Sequence, residues 1–287
     1  MISGILLALL AAVIYGFLGI CFEVAAKRRY PVWDVILYKQ FSGFLMGLAC
    51  TAWLGLPLYE PRLLWTGALG AASYVLTCVC YLLASRERDI ASNWTLLNLS
   101  VALPILVSVF WFGDRFTAAK ALAVVFTLCS IVLIGGGRRG LQLSGGSRWL
   151  RFIFGAFLLN GVLVILFRFV PDGYGALFTA YFYGISFLLV LPYKLHARNW
   201  KPERVMALVS VAGAATHWSG IMLTMAALQT VGKVSAQAGV VVYPITNGLV
   251  IPVGVILGML LLKQKLSRAT QWGMLTGMAA LVLFFLP

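Results

Sequence analysis

Long apolar segments alternate with short polar breaks along the whole chain. Each apolar segment is about 20 to 30 residues long, enough for a helix rising 1.5 Å per residue to cross about 30 Å of hydrocarbon. Ten such segments cover approximately residues 2–26, 33–54, 62–85, 90–112, 117–136, 148–170, 175–197, 204–229, 233–262 and 268–287. The pattern predicts an all-α polytopic membrane protein with ten transmembrane helices.

The two halves of the chain resemble each other. The segment GAASY (70–74) returns 143 residues later as GAATH (213–217). Spacings of 145 and 150 align further segments in the same order, among them Gly16 with Gly161, Tyr38 with Tyr183, and GDRFT (113–117) with KQKLS (263–267). Internal repeats are common in secondary transporters, and binding sites there lie near mid-membrane between the repeats.

We therefore predict two five-helix repeats, residues 1–140 and 141–287. The longest polar insert, between Arg138 and Arg151, joins them. Because each half holds an odd number of helices, the second half is expected to be inverted relative to the first, with a central cavity between them. Since one chain supplies both halves, we expect a monomer or a weak dimer.

The composition supports a membrane protein and argues against several other classes. Hydrophobic residues make up 62% of the chain and charged residues 10%, too few to cover the surface of a soluble fold. We expect an integral protein of the plasma membrane, or of the inner membrane in a bacterium, surrounded by membrane lipids. The net charge of +14 sits in short loops beside apolar helices, so membrane topology explains it better than a nucleic-acid partner.

If successive loops alternate sides, sixteen Lys and Arg residues collect on one side and five on the other. The positive-inside rule then places both termini outside the cell. No phosphate loop, metal-binding helix or nucleophile elbow appears, and the five cysteines have neither zinc-site spacing nor histidine partners. We expect no enzyme, no cofactor and no metal.

Several of these features resemble the drug/metabolite transporter superfamily, and its EamA-like branch most of all. They are the GAASY and GAATH helices, Lys39 in the second helix, and the turns GDRFT and KQKLS. The resemblance covers essentially the whole chain and implies inverted halves around a central cavity with alternating access. In relatives the second-helix position commonly carries Arg and the first turn commonly reads Gly-Glu-Arg. Small multidrug-resistance relatives carry an acidic residue in the middle of the first helix, which this chain lacks.

Polar and aromatic residues within the apolar segments are the candidate substrate-binding residues. Tyr74, Thr77 and Tyr81 share one face of the third helix, and His217 is the repeat counterpart of Tyr74 near mid-membrane. The fourth and ninth helices add Trp94, Asn98, Gln237, Tyr243 and Asn247. Such residues should face protein or water rather than lipid. Hydrogen bonding between helices is an alternative explanation for them.

Three charged residues lie within or at the ends of predicted spans: Glu23, Lys39 and Arg168. On membrane-insertion scales, placing such a residue at the middle of a helix costs roughly 2.5 to 3.5 kcal/mol. We predict an ion pair between Glu23 and Lys39, with a role in substrate binding or coupling, or separate snorkelling, as alternatives. For Arg168 we predict an ion pair with Asp172 at the rim, with a gate as the alternative.

These features favour a secondary transporter of a small polar or zwitterionic metabolite, such as an amino acid or an analogue, working as an exporter. The first alternative is an organic-anion or sugar-phosphate exchanger, which needs Lys39 unpaired so that it can attract the anion together with Arg168 and His217. The second is a lipid-handling or structural membrane protein that transports nothing. Proton coupling through His217 is a further expectation, because histidine has an unperturbed pKa of about 6.5.

Overall fold

The computed structural model describes residues 1–88, 90–112, 117–134, 146–197, 203–234, 238–263 and 266–285, and within these ranges all regular structure is helical. The helices are α1 (Ile2–Lys27), α2 (Val32–Trp53), α3 (Pro61–Ser85), α4 (Ile90–Asn98), α5 (Ala102–Phe112), α6 (Ala118–Ile134), α7 (Gly146–Leu166), α8 (Gly175–Ala197), α9 (Arg204–Gly232), α10 (Ala238–Leu262) and α11 (Arg268–Phe285). Two 3-10 segments, Leu99–Val101 and Phe167–Phe169, follow α4 and α7.

Seven helices in the described ranges are long and apolar enough to cross a membrane: α1, α2, α3, α7, α8, α9 and α10. The prediction of an all-helical polytopic membrane protein is confirmed at this level. The count of ten spans and the inverted relation between the halves stay predictions.

The fourth predicted span, 90–112, is interrupted. Leu99–Val101 forms a 3-10 turn between α4 and α5. Pro104 follows three residues later, and because proline has no backbone N–H, the carbonyl of Ser100 cannot accept the usual i+4 helical hydrogen bond. The tighter turn is a common response to such a loss. Pro244 and Pro252, by contrast, lie inside a continuous α10.

The two halves of the chain are interleaved rather than side by side. The most extensive packing joins a helix of the first half to one of the second, and each helix pairs across the halves: α1 with α9 and α10, α2 with α8 and α9, α3 with α7 and α8, and α6 with α11. A two-fold relation between the halves would produce this pairing, because it exchanges the α1–α9 contact with the α3–α7 contact. The central space between the halves is therefore bounded by helices from both.

Glycines let α2 lie directly against α8. A Cβ atom at Gly47 would lie 2.7 Å from the backbone nitrogen of Ala180, and one at Gly43 would lie 2.5 Å from Cδ1 of Tyr183. Small residues commonly allow such close approach between membrane helices. This approach brings Tyr183 of α8 close to the residues that α2 directs inward.

Replacing Gly47 with alanine is expected to destabilise the fold by about 1–3 kcal/mol, because the new methyl group would meet backbone atoms that cannot move aside alone. Thermal unfolding of the purified protein in detergent would measure the change. Gly155→Ala is the matched control, since its Cβ would meet Cys80 Sγ at 3.4 Å, an ordinary contact. Equal stability of the two variants would contradict close packing of α2 on α8.

A buried ion pair also joins α2 to α8. The ammonium of Lys194, in the last turn of α8, contacts Oδ1 of Asp34, in the first turn of α2. Asp34 is 4% exposed and Lys194 2%. Each charge also has the sign favoured at its own helix end. The pair therefore ties the start of α2 to the end of α8.

Candidate functional site

A central cavity of about 60 Å³ lies between α1, α3, α4, α7, α9 and α10. Eight of the nine predicted substrate-binding residues form part of its wall: Tyr74, Thr77, Tyr81, Trp94, Asn98, His217, Tyr243 and Asn247. The ninth, Gln237, lies outside the described residues. The structure thus brings the described candidates together around one space, while their role in binding stays a prediction.

Sequence reasoning missed other polar residues on this wall. Tyr15 of α1, Asn160 of α7 and Thr246 of α10 all line the cavity. Asn160 donates a hydrogen bond from Nδ2 to Ser100 Oγ at 2.8 Å. Each is a polar residue inside an apolar helix, so the rule that selected the other candidates would also have selected these. The described wall carries no Asp, Glu, Lys or Arg.

Polar side chains on the cavity wall already donate hydrogen bonds to backbone carbonyls of the protein. Tyr243 donates its hydroxyl to the carbonyl of Val164 at 3.1 Å, which links α10 to α7. Asn98 and Asn247 donate Nδ2 to the carbonyls of Trp94 and Tyr243, at 2.7 and 3.1 Å, within their own helices. Both asparagines therefore present Oδ1 as a hydrogen-bond acceptor.

Beside the cavity lies a cluster of four buried side chains, Lys39, Tyr74, Tyr183 and His217, here called the Lys39 cluster. Tyr74 and His217 stack with ring centroids 4.3 Å apart and planes 3° from parallel. Lys39 donates from Nζ to the Tyr74 hydroxyl, and Nζ lies 3.5 Å from His217 Nδ1. Tyr183 Oη lies 2.6 Å from the same Nδ1. Four helices, α2, α3, α8 and α9, thus meet at one hydrogen-bonded group.

The predicted ion pair between Glu23 and Lys39 is wrong. Glu23 Oε1 instead lies 3.5 Å from Nζ of Lys27, one turn further along α1, where an i, i+4 pair shares a helix face. Lys39 is 1% exposed, so it does not snorkel to the membrane surface. Its side chain leaves α2 toward α3 and α9, where it meets Tyr74 and His217 instead of a carboxylate.

Aromatic rings surround the Lys39 ammonium. Nζ lies 4.4 Å from the centroid of the Tyr74 ring and 5.6 Å from those of Phe22 and Tyr183. Cation–π attraction is worth about 2 kcal/mol or more when the partners are removed from water. In the part of the chain that the structure describes, no carboxylate forms an ion pair with Lys39. The aromatic ring faces and hydrogen-bonding groups replace the missing counter-charge only in part.

The surroundings of His217 assign its tautomer. Nδ1 faces the Lys39 ammonium and the Tyr183 hydroxyl, and an ammonium can only donate. Nδ1 is therefore an acceptor, and the ring proton lies on Nε2. A second positive charge on the imidazole would lie 3.5 Å from Nζ and be repelled by it. The cluster accordingly holds one positive charge, on Lys39.

Tyr74 and His217 line the central cavity, whereas Lys39 and Tyr183 do not. The stacked rings therefore lie between the charge and the cavity. Lys39 influences the cavity through these two rings rather than by direct contact with its contents. Tyr183 was not among the predicted site residues. It aligns with Tyr38 at the repeat spacing, but the sequence contains no sign that its hydroxyl reaches His217.

Arg168 does not line the central cavity. It lies in the 3-10 segment Phe167–Phe169 and, with Asp172, lines a second cavity. Their predicted ion pair stays a prediction.

One polar group that lines the central cavity is left without a partner: Trp94 Nε1 is buried and has no hydrogen-bond acceptor among the described residues.

The fold and this cavity define a polytopic helical membrane protein with a neutral, aromatic and polar centre. Residues 2–136 match the EamA-like transporter family, so the resemblance seen in the sequence is confirmed, directly for the first half of the chain. A solved crystal structure shares the fold with a TM-score of 0.65 and 16% identity, over 98% of this chain and 96% of that one.

One curated relative is the probable 4-amino-4-deoxy-L-arabinose-phosphoundecaprenol flippase subunit ArnF of Pseudomonas fluorescens. It is 33% identical over 69 residues, which are 23% of this chain and 50% of the relative. The chain thus spans about half the length of this relative. The matching family is named as a transporter family, and the relative is named as a flippase subunit.

Proposed function

We propose that the chain is a secondary transporter that exports a small zwitterionic metabolite, an amino acid or an analogue, by alternating access. The observation that carries the proposal is the central cavity, which both halves line with aromatic and neutral polar side chains beside the buried charge of Lys39. The match to the EamA-like transporter family supports the general class.

The groups around the cavity suit both ends of a zwitterion. His217 offers Nε2–H as a donor, which a carboxylate can accept, and the nearby positive charge of Lys39 strengthens that bond. Asn98 and Asn247 offer Oδ1 as acceptors for an ammonium group. Tyr81 and Trp94 supply aromatic surface for the organic body of the solute.

The cavity must widen before it can admit such a solute. A volume of about 60 Å³ holds a few water molecules, whereas pockets for organic ligands measure about 300–1,000 Å³. The 3-10 break after α4 and the two prolines of α10 weaken the backbone hydrogen bonding of two wall helices. In this proposal these helices move apart to open the cavity toward one side of the membrane at a time.

Solute counterflow in proteoliposomes tests the proposal, with a panel of amino acids, organic cations and phosphorylated anions. We expect amino acids to accumulate with the parent protein and about tenfold less with His217→Ala, because the charge-assisted donor at the cavity wall is lost. The matched control is His196→Ala, which removes the exposed histidine at the end of α8. Accumulation that is equal in parent and His217→Ala would remove His217 from the site.

A second candidate function is exchange of organic anions or sugar phosphates. It is favoured by one observation, the lack of an acidic partner for Lys39 in the described part of the chain. In that case the same counterflow panel would show accumulation of phosphorylated anions instead of amino acids. A protein that handles lipids, as the name of the ArnF relative indicates for that protein, would move none of the soluble panel.

A further inference from the structure

A second cavity, of about 380 Å³, lies beside the central one where α7 ends and α9 approaches α10; we call it the vestibule. Among the described residues of its wall, Arg168, Asp172, Gln229 and Lys233 are charged or polar, and the others are apolar apart from Gly232. Its volume is within the range of about 300–1,000 Å³ that organic ligands occupy. Unlike the central cavity, the vestibule can hold a small metabolite without widening.

The vestibule carries charges of both signs. Arg168 and Lys233 are cations that pair well with a carboxylate, and Asp172 is an anion that pairs with an ammonium group. Gln229 adds an uncharged donor and acceptor. Apolar side chains, including Met225 and Leu228, form the remaining surface. This combination matches an amino acid with an apolar side chain, whose charged end would meet the three ionic groups.

The position of Arg168 is supported by α10. Its Nη1 atom lies where a Cβ at Gly239 would come within 3.0 Å, so the glycine leaves room for the guanidinium against the helix. The Tyr243 ring borders the same glycine, with Cε2 3.3 Å from that Cβ position. Arg168 therefore stands at the boundary between the vestibule and the Tyr243 side of the central cavity.

One aromatic ring belongs to both cavities. Phe167 lines the central cavity and the vestibule, is 7% exposed, and packs edge-on against Phe178 with centroids 6.0 Å apart. Arg168 is the next residue of the same 3-10 segment. A movement of this segment would therefore shift the ring between the cavities and the guanidinium together.

We propose that the vestibule is a second binding site, which an amino acid with an apolar side chain occupies on its way between the central cavity and one side of the membrane. Phe167 separates the two sites. The inference rests on the proposed transport function, because it assigns the vestibule to the same solute.

Calorimetric titration of the purified full chain with L-leucine tests this site. Arg168→Gln should weaken binding about tenfold, because it removes a charge-assisted contact to the carboxylate. Asp172→Asn, a change at an exposed position, should weaken it in the same direction by loss of the ammonium partner. Arg62→Gln is the matched control, an exposed arginine at the start of α3 that lies in neither cavity wall.

Two analogues of leucine test the requirement for both charges. 4-Methylpentanoate lacks the amine and 3-methylbutylamine lacks the carboxylate, and each should bind more weakly than leucine to the parent. His217→Ala should retain binding at the vestibule, because His217 lines only the central cavity of the two. The proposal is overturned if the parent does not bind leucine, or if Arg168→Gln and Asp172→Asn both bind it as the parent does.

Counterflow of leucine separates this inference from the transport function. Arg168→Gln should raise the leucine concentration for half-maximal counterflow about tenfold and leave the maximal rate near that of the parent. If the parent shows no counterflow but binding still depends on Arg168, the transport proposal fails and the second site stands. If counterflow depends on His217 but not on Arg168 or Asp172, transport stands and the vestibule is no binding site.

Discussion

Replacing Lys39 with methionine is expected to lower transport by at least about tenfold and to leave the fold at least as stable as in the parent. The ammonium is 1% exposed and has no carboxylate partner among the described residues, so its burial is costly by roughly 2.5 to 3.5 kcal/mol at mid-membrane. Methionine has a similar length and no charge, and it adapts to irregular surroundings. Removing the charge therefore relieves a cost, although cation–π attraction to Tyr74 is lost.

Function should suffer because the charge determines the state of its neighbours. Without the Lys39 ammonium, Nδ1 of His217 loses the donor that excludes a proton from it, and the Tyr74 hydroxyl loses its partner. The donor presented at the cavity wall is then no longer defined. We expect a drop in counterflow of at least about tenfold, the effect of one lost charge-assisted contact.

The measurement combines counterflow in proteoliposomes with thermal unfolding of the same preparation in detergent. Lys263→Met serves as the matched control, because Lys263 is exposed and lies in neither cavity wall. A Lys39→Met variant that transports as well as the parent would show that the charge has no role in function. A marked fall in its unfolding temperature would show instead that Lys39 is held for stability.

Removing the carboxylate of Asp34 is expected to destabilise the fold strongly, whereas Lys39→Met is expected to leave the stability unchanged or higher. Asp34→Ala leaves the Lys194 ammonium, 2% exposed, without its carboxylate partner. Breaking a buried pair by removing one partner typically costs about 3–5 kcal/mol, because an uncompensated charge remains. The double variant Asp34→Leu with Lys194→Met should recover most of that loss, since two apolar side chains can replace a buried pair.

Unfolding of the single and double variants in detergent, compared with the parent, measures this coupling. Glu87→Ala is the matched control, because it removes an exposed carboxylate at the end of α3. A double variant as unstable as Asp34→Ala alone would mean that the carboxylate, and not the pairing, stabilises this end of α2.

The helices could be predicted well because length and hydrophobicity are local properties. The segment 62–85, for example, corresponds to α3 at Pro61–Ser85. The form of the interruption at Leu99–Val101 could not be predicted, because the sequence does not show how a helix will absorb the hydrogen bond lost at Pro104. The 3-10 segment at Phe167–Phe169 has no proline and gave no comparable signal.

The wall of the central cavity was largely predictable for a different reason. A polar side chain in a membrane helix must avoid lipid, so intramembrane polarity alone selects residues such as Asn98 and Asn247 that face protein. The polarity of these residues does not predict which side chains contact each other. Glu23 and Lys39 lie in neighbouring predicted spans, but a position along a helix does not determine the direction of a side chain around the helix axis.

The Asp34–Lys194 pair was missed because it depends on a contact between two distant segments. Its partners are 160 positions apart, and only the packing of α2 on α8 brings them together. Glu23 and Lys27, by contrast, are four residues apart, so a helix alone brings them together, and their pairing could be predicted from the sequence.

The stack of Tyr74 on His217 joins two positions that correspond at the predicted repeat spacing but carry different residues. Two identical half-length chains related by a two-fold axis would put tyrosine against tyrosine or histidine against histidine at this point. They would also contribute two lysines, whereas the counterpart of Lys39 at a spacing of 145 is Gly184. Joining the halves in one polypeptide therefore allows the two halves to carry different residues at corresponding positions, so that one ammonium and one imidazole meet between two phenol rings.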